Sequence, residues 1–196
     1  GIQRLDESKF ALQTSLGNFA CDKVIIATGG LSIPTMGATG FGYEIAEQFE
    51  LEVLPRRAGL VPFTFSDQTK TLTEKLSGLA QDVSMFNPLA NFKANMLFTH
   101  RGISGPAALQ LSNYWHVGEY IDINLLPDID LESYLIEEKN TYGNISLKKC
   151  LAKHFSKAFC NELEQMFWPD LGDKQMAGFS DHTLKEIAKS LSTWRL

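Results

Sequence analysis

The sequence of 196 residues is poor in cysteine and has no long apolar run. Its three cysteines, Cys21, Cys150 and Cys160, are too few and too scattered for a disulfide framework. No apolar segment approaches the roughly 18–20 residues that a membrane helix needs, and no basic-then-apolar leader opens the chain. We therefore expect a soluble, cytoplasmic protein without a membrane partner.

Positive charge is also scarce, since 18 Lys and Arg stand against 23 Asp and Glu, for a net charge of −5. Proteins that bind the phosphate backbone usually carry a basic surface. We therefore do not expect nucleic acid as a partner. One basic strip does not change this expectation, because acidic residues follow it directly and a solvated helix face explains it. The strip consists of Lys148, Lys149, Lys153 and Lys157.

Several catalytic and metal-binding patterns are missing as well. No phosphate-binding G-x-x-x-x-G-K-[ST] loop and no dinucleotide-binding G-x-G-x-x-G fingerprint occur in the 196 residues. Cys150 and His154 are one helical turn apart, but zinc prefers four ligands at paired spacings. We therefore interpret these residues as core or surface residues and predict no metal site.

The first 50 residues follow a strand–loop–helix order. Alternating apolar residues predict strands around a turn at Gly17 and Asn18, and the continuous apolar run 24–27 predicts a parallel strand buried on both faces. A glycine-rich loop then leads to a helix near residues 41–49, with Thr39 as its N-cap. This order is typical of an α/β fold.

The rest of the chain changes character twice. Short alternating apolar runs between residues 60 and 127 predict an antiparallel sheet or small barrel, interrupted by one helix. The stretch 102–106 supplies the cap of that helix and a proline, Pro106, in its first turn. Helical patterns follow. Apolar residues recur at every fourth position from Leu147 to Phe167 and predict one long helix over 146–168 with a single apolar stripe, and the chain ends on a last apolar helix face. That last face consists of Leu184, Ile187, Ala188, Leu191 and Trp194.

The sequence Thr28-Gly29-Gly30 is the strongest local signal of a ligand site. Where a buried strand ends in small residues, a ligand can lie against exposed backbone amides, because no β-carbon blocks its approach. Free amides at the following helix start also favour an anion. The alternative interpretation is that these glycines only turn the chain.

Three separated stretches, in order, resemble the BaiN-like (YhiN-type) family of NAD(P)/FAD-dependent oxidoreductases. They are A-T-G-G-L-S-x-P-x-x-G-A-T-G-x-G-Y-x-I-A (27–46), L-V-P-F-T (60–64) and L-F-T-H-R-G-I-S-G-P-A (97–107). The resemblance implies an α+β fragment, in which the α/β edge of a two-dinucleotide-binding FAD domain precedes a β-rich, barrel-like insert and a small helical bundle. The corresponding segments are residues 1–55, 56–127 and 128–196.

The same resemblance implies the cofactor and its contacts. We expect FAD in the intact protein but not in this fragment, which would be inactive without the remainder of the FAD domain. The electron partner stays open between NAD(P)H, implied only by the family name, and oxygen. The residues expected near FAD are Ala27, Thr28, Gly29, Gly30, Pro34 and Gly37.

A second group of residues is expected to face a substrate cleft. His100 is the candidate proton donor or substrate-orienting group, because histidine titrates near neutrality. The alternative for His100 is a loop histidine bonded to backbone. The other cleft candidates are Arg101 and a helix-start loop formed by Gly102, Ser104 and Gly105, for which the alternative is an ordinary capped helix start.

Two functions follow from these observations. The first is a fragment of a cytosolic FAD-dependent oxidoreductase that transfers hydride to or from a small organic substrate, with the insert covering the flavin and shaping the cleft. The alternative is a non-catalytic interaction or binding module without flavin.

Overall fold

The computed structural model describes residues 1–6, 9–172 and 174–196. These residues form two compact units, the N-terminal unit (Gly1–Arg57) and the C-terminal unit (Ala58–Leu196). The first holds a three-stranded sheet, and the second a curled, barrel-like sheet of six strands with several helices. The predicted mixture of α and β elements is confirmed. None of the helices in the described residues has both the length and the apolar character needed to cross a bilayer.

The N-terminal unit is an antiparallel meander with one α-helix. Its strands pair in the order β1-β2-β3, and Ile2 and Ile45 are buried between sheet and helix. The rings of Phe10 and Phe49 meet edge to face at 5.9 Å. The elements are β1 (Ile2–Asp6), β2 (Lys9–Thr14), β3 (Gly17–Cys21) and α1 (Phe41–Gln48).

Two local predictions for this unit are wrong in position. The turn between β2 and β3 lies at residues 15–16, because Thr14 pairs with Gly17, whose φ is 122°. Gly40, rather than Thr39, is the N-cap of α1. The Thr39 hydroxyl only accepts a long hydrogen bond of 3.5 Å from the Phe41 amide.

The predicted buried strand over residues 24–27 is also wrong. These residues are extended but unpaired, and Ile25 and Ile26 are 89% and 40% exposed. A parallel strand needs hydrogen-bonding neighbours at its sides. Within the described residues no strand pairs with this segment.

The six strands of the C-terminal unit pair antiparallel in the order β4-β7-β6-β5-β8-β9. This agrees with the predicted antiparallel sheet or barrel. The strands are β4 (Phe63–Thr64), β5 (Ala80–Phe86), β6 (Asn91–Thr99), β7 (Gly102–Ser104), β8 (Asp122–Asn124) and β9 (Trp194–Arg195). The helices are α2 (Gln68–Lys75), α3 (Pro106–Leu111), α4 (Leu131–Thr141), α5 (Leu147–Leu151), α6 (Lys157–Phe167) and α7 (Asp181–Ser192).

The predicted helix over 146–168 is two helices. A straight α-helix rotates about 40° beyond a full circle every four residues, so an every-fourth-residue stripe drifts around it. The chain breaks after α5 and restarts at Ser156, whose hydroxyl accepts a 3.2 Å hydrogen bond from the Phe159 amide. Because the helix is interrupted at this break, the apolar residues of the stripe stay in the hydrophobic core in both helices. The buried members of the stripe are Leu147, Leu151, Phe155, Phe159 and Leu163.

Sheet and helices of the C-terminal unit share one hydrophobic core. Phe98 from β6 contacts the rings of Phe159 (5.3 Å) and Trp194 (6.4 Å). Trp194 is buried as expected but belongs to β9, where it pairs with Ile123, rather than to the last helix. Helix α2 was missed because its polar sequence offers Leu72 alone as a buried apolar anchor.

Gly105 is the N-cap of α3 and Pro106 is its first residue, so the predicted helix start is confirmed. Gly102 and Ser104, however, belong to strand β7 rather than to a helix-start loop. The reason is the pairing of β7 with both β6 and β4.

We predict that Gly102→Ala destabilises the C-terminal unit by about 3 kcal/mol. The φ of Gly102 is 154°, and an added β-carbon would lie 2.0 Å from the Phe63 carbonyl oxygen. Urea unfolding followed by tryptophan fluorescence measures this loss, because all three tryptophans of the chain lie in this unit.

Gly118→Ala is the matched control. Gly118 has a φ of 93°, but nothing lies within 4 Å of its added β-carbon. We expect a loss of about 1 kcal/mol there from backbone strain alone. Equal losses for the two variants would contradict the role assigned to the close contact.

Candidate functional site

The residues predicted to contact FAD lie on an exposed loop of the N-terminal unit. Residues 27–30 are all exposed, and Gly29 has a φ of 70°. Nothing lies within 4 Å of the point where a β-carbon of Gly29 would be. The backbone at this point is therefore open to a flat ligand.

Helix α1 supports the loop through two glycines. A β-carbon on Gly42 would lie 2.9 Å from the Thr28 hydroxyl, and one on Gly30 would lie 3.2 Å from the Tyr43 hydroxyl. The Arg56 guanidinium lies over the Tyr43 ring at 4.5 Å. The glycine-rich helix start was visible in the sequence, but the contact with Arg56 had no local signal.

Pro34 and Gly37 shape the next part of the loop. Pro34 begins a short 3-10 helix (Pro34–Met36), and Gly37 closes it with a φ of 93° and a 3.0 Å hydrogen bond from its amide to the Pro34 carbonyl. Both residues are exposed. They hold the loop in shape without enclosing a ligand.

An apolar groove of about 490 Å³ lies between the sheet and α1 of the same unit. Val24 and Ile26, predicted as buried strand residues, form part of its wall. Other wall residues are Ile2, Phe10, Ile45 and Phe49.

In the C-terminal unit, two stretches that lie far apart in the sequence meet. Strand β4 pairs with β7, with Phe63 opposite Ile103 and Thr64 opposite Gly102. Gly105 makes a similar close approach, since its β-carbon would lie 2.7 Å from the Asn95 carbonyl oxygen. Close backbone packing therefore explains why glycine, rather than a residue with a side chain, occupies positions 102 and 105.

His100 and Arg101 form the exposed two-residue turn between β6 and β7. The Thr99 hydroxyl donates to the Gly102 carbonyl (3.0 Å) and accepts from the Arg101 amide (3.3 Å). The Phe65 amide donates to the Arg101 carbonyl (3.1 Å). The backbone of the turn is thus fixed, while the His100 ring has no hydrogen bond within the described residues.

His100 and Arg101 form one end of an open groove of about 410 Å³, which we call the turn groove. Ser104 and Gly105 are not among the residues that line it. Sequence reasoning missed the opposite wall, because its helix carries no apolar stripe. The turn groove is lined by Thr64, Phe65, Ser66, Lys70, Glu74, His100 and Arg101.

Cys150 lies in a polar cluster between α4 and α5. Its sulfur is 3.7 Å from the Tyr134 hydroxyl and 3.6 Å from a Glu138 carboxylate oxygen, which also pairs with Lys153 at 2.6 Å. Burial raises the pKa of the Cys150 thiol to about 11. His154 stacks edge-on against Tyr134 at 5.1 Å, and its Nε2 is buried without a partner in the described residues.

The basic strip is half neutralised. Lys148 pairs with Glu164 and Lys153 with Glu138, each at 2.6 Å. Lys149 and Lys157 are exposed and form no ion pair with the residues that the structure describes.

A family model described as the HI0933-like protein barrel and H2TH domain matches residues 57–196. The chain belongs to this family. It is the family of the YhiN-type proteins, so this part of the predicted resemblance is confirmed. The resemblance to BaiN-like members in particular stays a prediction.

Two curated relatives align with nearly the whole chain. A protein of Escherichia coli (strain K12) is 46% identical over 193 residues, covering 97% of this chain and 48% of the relative. One from Haemophilus influenzae is 39% identical over 197 residues, with 98% and 48% coverage. Both are named "Ribosomal RNA dihydrouridine synthase". The chain spans about half the length of these relatives.

These names contradict the expectation that nucleic acid is not a partner, since the relatives are named for an RNA substrate. The expectation was wrong because it used the net charge of −5. Net charge averages over a whole surface, whereas RNA contact depends on a few local cations and on base stacking.

We predict that iodoacetamide at pH 8 modifies Cys21 in the native protein but leaves Cys150 and Cys160 unmodified. Cys21 is partly exposed, whereas the other two are buried with raised thiol pKa values. At a pKa of about 11, only about one Cys150 thiol in a thousand would be ionised at pH 8. Peptide mass spectrometry measures the modification, with urea-unfolded protein as the control. Equal rates for Cys150 and Cys21 would contradict the buried, inert thiol.

Proposed function

We propose that the complete protein containing this chain reduces uridine to dihydrouridine in ribosomal RNA, with a flavin as electron carrier. The observation that carries the proposal is the 46% identity, over 97% of the chain, to the Escherichia coli protein of that name. The aligned region includes both the exposed loop of the N-terminal unit and the turn groove. The proposed substrate is therefore a uracil base within an RNA chain, and not the small organic molecule expected from the sequence.

The reaction adds two hydrogens across the C5–C6 double bond of uracil. One carbon receives a hydride and the other a proton, so the base gains two electrons and two protons in all. FAD, when bound and reduced, supplies the hydride, and NAD(P)H is the proposed source of its electrons. The target base must leave its stack in the RNA to lie flat against such a ring.

The loop of the N-terminal unit fits one edge of a flat cofactor. Its backbone is exposed at residues 27–30, and the space beside Gly29 is open. We assign these residues to cofactor contact through the backbone, with Pro34 and Gly37 holding the loop in shape. The pyrophosphate needs a further glycine-rich segment, because the sequence has no G-x-G-x-x-G fingerprint.

The proton donor is a separate question. His100 stays the candidate from the sequence, but its ring is exposed in an open groove and no hydrogen bond within the described residues holds it. General acid catalysis needs a group held within hydrogen-bond reach of the reacting atom. The geometry of the turn therefore suits contact with the RNA better than proton transfer.

We predict that deleting the gene for the complete protein removes dihydrouridine from ribosomal RNA. Nucleoside mass spectrometry of purified ribosomal RNA measures the modification, and the complete gene on a plasmid should restore it. A plasmid encoding only residues 1–196 is expected not to restore it, since the chain spans about half of each relative. Unchanged dihydrouridine in the deletion strain would overturn the proposed function.

We predict that Gly29→Val in the complete protein lowers bound flavin at least tenfold. A branched side chain would fill the open space that the cofactor needs. Gly17→Val is a control with at least as much backbone strain, because the φ of Gly17 is 122° and that of Gly29 is 70°. Both glycines have positive φ and nothing within 4 Å of an added β-carbon, but Gly17 lies in the β-hairpin. The flavin-to-protein ratio from visible absorption is the measurement.

Normal flavin in the Gly29→Val variant would contradict the role of this loop. A complete protein without flavin, even after FAD is added, would contradict flavin chemistry altogether and favour the binding-module alternative.

A further inference from the structure

We propose that the turn groove holds a phosphate of the RNA backbone, with Arg101 as its main contact and Lys70 as a second. This inference rests on the proposed function and specifies where the C-terminal unit would contact the substrate RNA. Four features of the groove carry it.

The first feature is the composition of the turn. Two-residue hairpin turns favour Asn-Gly or similar pairs, because their central residues often need positive φ. His100 and Arg101 occupy this turn without positive φ, and Gly102 takes the unusual backbone angle of 154° instead. Turn formation therefore does not explain why a histidine and an arginine stand here.

The second feature is the freedom of Arg101. Many cations of the C-terminal unit are paired with a carboxylate, including Lys75, Lys139 and Lys148. Arg101 is exposed and forms no ion pair within the described residues. A guanidinium presents several N–H donors in a planar fork, which matches two oxygens of a phosphate.

The third feature is the weak pairing of Lys70. Its ammonium lies 3.4 Å from a Glu74 carboxylate oxygen, and both side chains are nearly half exposed. Such an exposed pair contributes little stability. Lys70 can therefore turn to a phosphate at small cost, while Glu74 lowers the positive potential of the groove.

The fourth feature is the wall of the groove. Thr64 and Ser66 have exposed hydroxyls with no hydrogen bond in the described part of the chain, and Phe65 is half-buried beside them. Arg, Lys, Ser and Thr are common contacts of backbone phosphates. The groove is open rather than enclosed, which suits a strand passing through it better than a small ligand that needs burial.

The test is the affinity of the complete protein for ribosomal RNA from the deletion strain, measured by filter binding over a series of salt concentrations. We expect Arg101→Ala to weaken binding about tenfold at low salt and to lower the slope of log K against log salt by about 1. Lys189→Ala is the matched control. Lys189 is also exposed and forms no ion pair among the described residues, but it lies on α7 outside the turn groove.

A second variant changes affinity in the opposite direction. Glu74→Gln removes the carboxylate beside Lys70, so binding should tighten about twofold to threefold at low salt. A partly unfolded variant cannot imitate this gain. The flavin content of each variant is expected to equal that of the wild type, because none of these substitutions lies in the FAD loop.

The outcomes separate this inference from the proposed function. If the wild type binds ribosomal RNA but Arg101→Ala and Glu74→Gln bind equally well, the groove assignment is overturned and the proposed function stands. The same holds if Lys189→Ala loses as much affinity as Arg101→Ala. If the wild type does not bind ribosomal RNA and forms no dihydrouridine, both are overturned.

Discussion

The C-terminal unit depends on one backbone contact, in which the carbonyl of Phe63 occupies the space that a side chain at position 102 would fill. Because Gly102 lacks that side chain, β4 can pair with β7 at the edge of the sheet. This pairing brings Phe63 against Trp115, with ring centres 5.5 Å apart and planes nearly perpendicular. It also places Thr64 beside the turn of His100 and Arg101. A single close approach thus supports both the hydrophobic core and the turn groove.

Electrostatics in this protein is local rather than global. The net charge is −5, yet Arg101 and Lys149 are exposed cations without an ion pair in the described residues, whereas Lys148 and Lys153 are neutralised by nearby carboxylates. A surface of this kind offers few free cations to phosphates, so the RNA binding proposed above should depend only moderately on salt. The same reasoning explains why a charge count predicted the wrong class of partner.

Much of the fold could be predicted from the sequence, because its signals are local. Gly105 and Pro106 start a helix where expected, and the apolar stripe of residues 147–163 is buried. The failures have a common cause. Residues 24–27 have the composition of a buried strand, but a strand also needs partners, and composition does not supply them. Likewise, α2 is helical because of its Asp67 cap and its packing rather than because of an apolar stripe.

The sequence by itself determined the mixture of α and β elements, the start of α3, the buried stripe and the glycine-rich stretches that carry the family resemblance. Each of these depends on residues close together in the chain, through capping, periodicity or backbone freedom. Only the tertiary structure brought Thr64 and Lys70 to His100 and Arg101, because antiparallel pairing joins segments almost forty residues apart. Such long-range contacts follow from the packing of the whole sheet, and no local pattern specifies them.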